Sequence, residues 1–499
     1  MLAKTPVLDY IYATYPKTSL SASGLEVGLD PGDPGNSEVG HLNLGSGRVV
    51  WEDLPKINHS IEEGEFYQVP ALKEAMSRVR QRGATLHLWG LVSDGGVHAH
   101  IEHFGALLKM AAGEGVRNVL VHFITDGRDT APKQALAFVE QLEAKCNEVG
   151  VGRIATVVGR YFAMDRDQNW DRVRKAYDLL VKNSGQQYPT AGEAITAAYD
   201  QGNNDEFLEP MVIGEGGVVS PDDSVIMVNY RSDRARQMLD ALTVGVNSPG
   251  FSVSPFGCFV CTMTRYRKNQ VAAVAFEKEI IIDSLADLVA AGGLTQYHVA
   301  ETEKYAHVTY FLNGGQEKPH NEEAQEIVPS KKVPTYDLAP AMSAGEITEK
   351  VKKALDSGYD FIVVNYANGD MVGHTGNLPA SIQACEAVDR CLGEVLAEAQ
   401  KCDYRVIITA DHGNCEVMID ATSGGPNKEH TTNPVPFVHL DFSRLPFSPS
   451  ETQLPLDDYA AYAVSTPVGV LADVAPSVLA ILGIEQPMEM SGMDLTIAL

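Results

Sequence analysis

Short apolar runs that stop abruptly in polar, glycine-rich clusters recur along this chain. "TLHLWGLVSDGGVHAH" from Thr85, "VLVHFITDGRD" from Val119, "RIATVVGR" from Arg153 and "SVIMVNYRSDRAR" from Ser224 all show the pattern. So do "YDFIVVNYANGDMVGH" from Tyr359 and "YRVIITADHGN" from Tyr404. Runs that are apolar on both faces suit buried parallel strands. Helical periodicity lies between them. From Pro379 to Gln400, for example, Ile382, Cys385, Val388, Leu392 and Val395 recur at helical spacing. Strand and helix in alternation predict an α/β fold. In open parallel sheets ligands bind beyond the carboxyl ends of the strands, which is where the polar clusters fall.

The chain has 499 residues, too many for one ordinary core, so two or more domains are expected. The apolar fraction of 44% suits a globular protein. A net charge of −27 argues against nucleic acid or an anionic membrane as partner. No apolar leader opens the chain. "YAVSTPVGVLADVAPSVLAILGI", broken by Asp473 and two prolines, reads as a loop and a short helix ending at Gly483, not as a membrane span. Seven scattered cysteines suggest reduced thiols in a cytoplasmic protein. Cys258 and Cys261 read as strand cysteines. "QEKPHNEEAQEIVPSKKVP" (316–334) reads as a long exposed excursion.

The polar clusters divide into two chemical types. The middle of the chain supplies Arg128, Arg160, Arg166, Arg231, Arg234 and Arg236; the last third supplies Asp370, His374, Asp411, His412 and His430. Guanidinium forks at strand ends suit a small polyanion. Carboxylate and imidazole together suit Mn²⁺ or Zn²⁺. In "GNSEVGHLNLGSGR" Ser37 sits in a glycine-rich turn with no base obvious beside it. A solvated serine in a loop is the plainer reading of that stretch alone, but a pair of divalent ions could bind a phosphoryl oxygen and deprotonate Ser37. In "SDGGVHAHIEH" His98 is expected to contact phosphate or carboxylate or to carry a proton, and His100 and His103 to be structural.

"GNSEVGHLNLGSGR", "SDGGVHAH", "FITDGRDT", "VVGRYFAMDRDQNWDR", "YRSDRARQ", "AETEKYAHVTYFLNGG", "NYANGDMVGHTGN", "ITADHGNCE" and "HTTNPVPF" together resemble the cofactor-independent phosphoglycerate mutases of the alkaline phosphatase-like superfamily. The resemblance spans nearly the whole chain, in order. It implies an alkaline phosphatase-like parallel-sheet domain, residues 1–52 and 279–499, with a second α/β phosphotransferase domain, residues 53–278, inserted for substrate binding. It implies a glycolytic and gluconeogenic isomerase interconverting 3-phosphoglycerate and 2-phosphoglycerate through a phosphoserine at Ser37, with closure of the domains excluding water. By motif, Asp370, His374 and His430 match one manganese site; Ser37, Asp411 and His412 match the second. His98, Arg128, Asp129, Arg160, Arg166, Arg231, Arg234 and Lys304 match substrate-binding positions, with Lys304 and Asp129 assisting proton and charge handling. The implied cofactors are two Mn²⁺, with Mg²⁺ or another divalent metal in their place, and no 2,3-bisphosphoglycerate. A monomer acting on phosphoglycerate alone is expected.

One departure stands out. The family opens with an apolar strand ending in Asp-Gly, whose aspartate is a ligand of the second metal, and "AKTPVLDYI" matches the segment just after that strand. The N-terminal strand is therefore expected to be missing, through a start set too late or in a true short form. The second case gives the alternative reading, a weakly active or non-catalytic chain. A related phosphomutase or phosphatase is the other alternative.

Overall fold

The computed structural model describes residues 2–448 and 466–497. The chain divides into two compact units: Met1–Glu52 with Glu279–Leu499, and Asp53–Lys278.

The contiguous unit is built on an eight-stranded sheet. Its order is Ala273–Phe276, Phe259–Thr264, Ser224–Met227, Leu86–Leu91, Val119–Thr125, Arg153–Gly159, Met211–Ile213, Gln186–Tyr188. Every pair is parallel except Arg153–Gly159 with Met211–Ile213. All six residues of Leu86–Leu91 are buried, because helices cover both faces and leave an apolar core on each. Four adjacent parallel strands therefore end on the same side. Their carboxyl ends lead into His98, into Arg128 and Asp129, into Arg160 and Arg166, and into Arg231 and Arg234. Cys261 lies buried in Phe259–Thr264 and Cys258 just before it.

The discontinuous unit holds a three-stranded parallel sheet, Glu323–Val328, Gln296–Glu301, Phe361–Asn365. It also holds a four-stranded sheet, Arg405–Thr409, Val435–Asp441, Lys17–Ser21, Gly469–Val470. Val435–Asp441 runs antiparallel to both of its neighbours. Its amino end thus lies beside their carboxyl ends, and this puts His430 on the side where Asp411 and His412 leave Arg405–Thr409. Among the described residues Phe361–Asn365 pairs only with Gln296–Glu301, and Arg405–Thr409 only with Val435–Asp441. Alternate residues of both strands feed the same two apolar clusters: Ile362, Val364, Val406 and Ile408 one, Val363 and Ile407 the other. These two strands are half-buried, not enclosed as their apolar runs predict.

Two further expectations are corrected and one is met. The 316–334 excursion contains an edge strand, Glu323–Val328, anchored where the Tyr297 hydroxyl donates to Glu326 at 2.5 Å. Three of its six residues are polar and four are half-buried, as suits a strand at the sheet edge. The helix expected from Pro379 to Gln400 is Leu378–Lys401, and its buried stripe is mostly small: Ala380, Ser381, Ala384 and Ala387. Close packing selects those residues, and the larger Ile382, Cys385, Val388 and Leu392 are half-buried at its margin. The glycine-rich stretch after Asn36 is not a loop but a helix, Ser37–Ser46. Near the carboxyl end, Val474–Leu482 is helical, preceded by a buried Asp473 that accepts from the Val470 amide at 2.8 Å, and ends at left-handed Gly483. Tyr462–Ser465, expected as part of the loop before it, lies outside the described residues. No described helix is long and apolar enough to cross a membrane.

Candidate functional site

Ser37 is the first residue of its helix and is buried. Asn36 caps that helix, its side chain accepting from the Val39 amide at 3.0 Å, which leaves the earlier amides and the positive end of the helix dipole free for an anion. Glycine at position 40 makes the packing possible: a Cβ there would lie 2.4 Å from the Asp411 carbonyl oxygen. The helix therefore rests directly on the backbone of the Asp411 turn.

Around the Ser37 hydroxyl the two ends of the chain meet. His412 Nε2 is 2.9 Å from Oγ, and Lys304 Nζ donates to Oγ at 2.5 Å. The same ammonium donates to Asp370 Oδ2 at 2.5 Å. Asp411 Oδ2 is 3.5 Å from His412 Nε2 and 3.4 Å from His41 Nδ1. Burial alone would raise the Asp411 carboxyl, but the nearby His41, His412 and Lys304 charges outweigh it and hold it at about 2. His412, by contrast, is lowered, chiefly by burial.

Asp370, His374 and His430 converge. Asp370 Oδ1 is 3.0 Å from Nε2 of each imidazole, and the two Nε2 atoms are 2.9 Å apart. Each ring donates its Nδ1–H to a backbone carbonyl, His374 to Lys428 and His430 to Gly35, both at 2.7 Å. So held, each ring turns its Nε2 toward Asp370, and two imidazole nitrogens and a carboxylate oxygen converge on one point. The donor set fits a divalent metal, and among the described residues these three side chains form one of two such groupings. The electrostatics agree. Burial pushes the Asp370 carboxyl up, but hydrogen bonds from His374 and His430 and the Lys304 charge bring it far below its ordinary value. His374 is raised, first by its hydrogen bond to Asp370. Asn414 steadies the same carboxylate, its Nδ2 donating to Oδ1 at 2.8 Å.

In the contiguous unit the arginines gather around carboxylates. Buried Arg160 bonds Asp126 at 2.6 Å and Asp129 at 2.5 Å. Asp126 also receives the Arg128 and Asp129 amides at 3.1 and 2.9 Å, so one carboxylate shapes the turn and aims the guanidinium. Asp233 takes Arg166 at 3.1 Å and Arg231 at 3.2 Å and lies 3.7 Å from His98. Arg234 is lowered, first by burial and then by the charges of Arg166, Arg160 and Arg128, a measure of how closely the four gather. His98, 3.9 Å from Asp129, is pushed down to about 4 by burial and by Arg160, so it is neutral at physiological pH. Arg236 instead donates to the Tyr266 carbonyl at 2.8 Å. His100 caps the Ile101–Gly113 helix and buried His103 lies 3.0 Å from Asn58, structural placements for both.

Apart from Arg236, each sequence-derived residue thus falls in one of two groups: Ser37, Lys304, Asp370, His374, Asp411, His412 and His430 in one unit, His98, Arg128, Asp129, Arg160, Arg166, Arg231 and Arg234 in the other. Sequence reasoning missed His41, Asn414, Asp126 and Asp233. Asp233 had a visible signal, a carboxylate inside the arginine run "RSDRAR". His41 had only its spacing of four from Ser37 on what proves to be a helix.

Residues 57–268 match the family model described as BPG-independent PGAM N-terminus, and residues 289–424 match that of Type I phosphodiesterase / nucleotide pyrophosphatase. The chain is 46% identical to the 2,3-bisphosphoglycerate-independent phosphoglycerate mutase of Synechococcus elongatus, covering 99% of this chain and 91% of the relative. It is 45% identical to that of Clostridium novyi, covering 99% and 94%. Among solved structures, a Leishmania mexicana phosphoglycerate mutase determined at low cobalt concentration is 30% identical with a TM-score of 0.52, covering 99% of this chain and 93% of that one.

Proposed function

This chain belongs to the 2,3-bisphosphoglycerate-independent phosphoglycerate mutases, and we propose that it interconverts 3-phosphoglycerate and 2-phosphoglycerate through phospho-Ser37. Membership of this family implies a divalent metal. The observation that carries the reading is the buried Ser37 hydroxyl at a helix N-terminus, within hydrogen-bond reach of both Lys304 and His412, beside the Asp370, His374 and His430 set.

We assign that set to one Mn²⁺ and Ser37, Asp411 and His412 to a second, with Mg²⁺ or another divalent ion as substitutes. Bound there, the ions would supply Lewis-acid charge to phosphoryl oxygens and lower the pKa of the serine hydroxyl. The chain's own groups do the rest. Ser37 Oγ attacks phosphorus, the bond from phosphorus to the substrate oxygen breaks, and that oxygen takes the proton that Ser37 gives up. The Lys304 ammonium, already on Oγ, offsets charge as it develops. Helix amides at Ser37 face the phosphoryl group. Arg128, Arg160, Arg166, Arg231 and Arg234 hold the carboxylate and phosphate of the acid, with neutral His98 as a further contact. Asp129 takes the proton of the second hydroxyl as that oxygen attacks the phosphorus of phospho-Ser37, the bond from phosphorus to Ser37 Oγ breaks, and Oγ takes a proton in turn. The enzyme needs no 2,3-bisphosphoglycerate, works as a cytoplasmic monomer and takes no macromolecular partner.

Conversion of 3-phosphoglycerate by the full chain without added bisphosphoglycerate tests this. Activity should vanish on chelation, return with Mn²⁺, and fall at least about a thousandfold in Ser37→Ala. Rapid quenching followed by peptide mass spectrometry should locate phosphate on Ser37. An inert chain in the presence of Mn²⁺, or a fully active Ser37→Ala, overturns the reading.

A further inference from the structure

One buried pair has no part in the chemistry above. His298, on the Gln296–Glu301 strand, is fully buried, and so is the side chain of Glu323, whose Oε1 lies 3.7 Å from His298 Nδ1. Both ring nitrogens face carbonyl oxygens: Nδ1 lies 2.6 Å from that of Val308 and Nε2 3.0 Å from Gln296 Oε1. The Gln296 amide cannot turn to offer its nitrogen instead, because that nitrogen already donates to the Ala286 carbonyl at 2.9 Å. Neither oxygen has a proton to give, so each ring nitrogen supplies one and the ring is an imidazolium. Glu323 balances the charge. Its other partners are donors, as suits a carboxylate: Asn313 Nδ2 at 2.9 Å, the His320 amide at 2.7 Å and Gln325 Nε2 at 2.6 Å. Burial opposes the charge on the ring, while Glu323 and the Val308 carbonyl favour it. The His320 ring, 3.3 Å from Asp287, is a further titratable neighbour.

Val308 shows what the cation is for. It lies in the widened helical turn His307–Phe311, directly after the Thr302–Ala306 helix that carries Lys304. The Leu312 amide passes over Val308 to reach His307 and Thr309, and the Asn313 amide goes to Thr309. Widening of this kind frees a carbonyl from the helical ladder, and the His298 Nδ1–H takes the place of the missing amide at Val308. The end of the same turn supports the nucleophile's helix: a Cβ on Gly45 would lie 1.9 Å from the Leu312 carbonyl oxygen, so Ser37–Ser46 rests on it backbone to backbone. One short turn thus joins Lys304 to the helix of Ser37, and a buried cation pins it. We propose that His298, protonated and paired with Glu323, is a positioning residue that keeps Lys304 Nζ on Ser37 Oγ by holding the Val308 carbonyl.

The inference rests on the roles given to Ser37 and Lys304 above, and the test separates the two. In proton–nitrogen correlation spectra of the full chain at about pH 7.5, both ring nitrogens of His298 should carry protons, although a free histidine is mostly neutral there. His298→Leu keeps the bulk, removes both donors and identifies the signals by their loss. Its kcat should fall about tenfold or more with KM little changed, and its crystal structure should show Lys304 off Ser37 Oγ. Should it fold poorly, His298→Leu with Glu323→Gln, which leaves no lone buried charge, takes its place. His298→Arg, which keeps the charge and the donors, should recover most of the rate. In a Lys304→Met background His298→Leu should cost less than about twofold, because the contact through which it acts is already gone. A neutral ring, an undiminished rate, a full loss without Lys304, or Lys304 still on Ser37 in the variant each overturn the proposal. An inert wild-type chain overturns the mutase reading instead, and the spectra and the variant's crystal structure then decide this inference alone.

Discussion

One ammonium, that of Lys304, is shared between the Ser37 hydroxyl and the Asp370 carboxylate. Lys304→Met keeps the length and loses the charge; kcat should fall about a hundredfold or more, with Ser37 still phosphorylated, more slowly, in quenched samples. Asp233 is a second shared group, set between Arg166, Arg231 and His98. Asp233→Ala should raise KM for phosphoglycerate about tenfold while kcat changes little, because the guanidiniums repel and lose their common anchor. Initial-rate kinetics measure both. Residues such as Asp370 and Asp411 are legible in the sequence because each comes just after an apolar strand. Asp126 and Asp233 are not, since an acidic residue among arginines reads equally well as a solvated surface pair until coordinates show which guanidinium it aims.

Between elements, the tightest constraint is the Ser37–Ser46 helix on the Asp411 turn. Gly40→Ala would force a methyl into the Asp411 carbonyl. Helix propensity favours alanine, so the helix should persist in circular dichroism while activity drops at least about tenfold as Ser37 parts from His412. An unchanged rate would show that the contact can yield. The six apolar runs all prove to be strands, but the pattern misread this helix, because glycine and asparagine weaken the periodic signal where backbone meets backbone. It missed the Glu323–Val328 strand for a related reason: half its residues are polar and read as loop. The antiparallel course of Val435–Asp441 had no local signal, since pairing direction is set by tertiary contacts.

For the molecule as a whole, the contiguous unit carries an acid liability. Buried His87, His122, Thr156 and Asp223 form a chain across its sheet, with His87 Nδ1 to His122 Nε2 at 2.8 Å, His87 Nε2 to Asp223 at 3.3 Å and His122 Nδ1 to Thr156 at 2.9 Å. Burial, and then the His87 charge, place His122 well below its ordinary value; burial and His100 place His103 at about 3. Between these lowered values and about 6.5 the unfolded chain binds protons that the folded chain refuses. Stability is therefore full above about pH 6.5 and falls as pH drops, by about 1.4 kcal/mol per unit for each such histidine. Urea unfolding monitored by Trp89 and Trp170 fluorescence should show a lower midpoint at pH 5.5 than at 7.5, and His122→Asn should flatten the slope by about one proton.

The interruption of one unit by the other also fixes an order of events during translation. Asp53–Lys278 emerges from the ribosome as an unbroken stretch and can fold on release. The first 52 residues cannot: Lys17–Ser21 must await Val435–Asp441 and Gly469–Val470, its partners in the sheet. Until then the Ser37 hydroxyl is an ordinary alcohol in water. The nascent enzyme stays chemically silent until those distant strands are made, and phosphate cannot be captured by a half-finished chain.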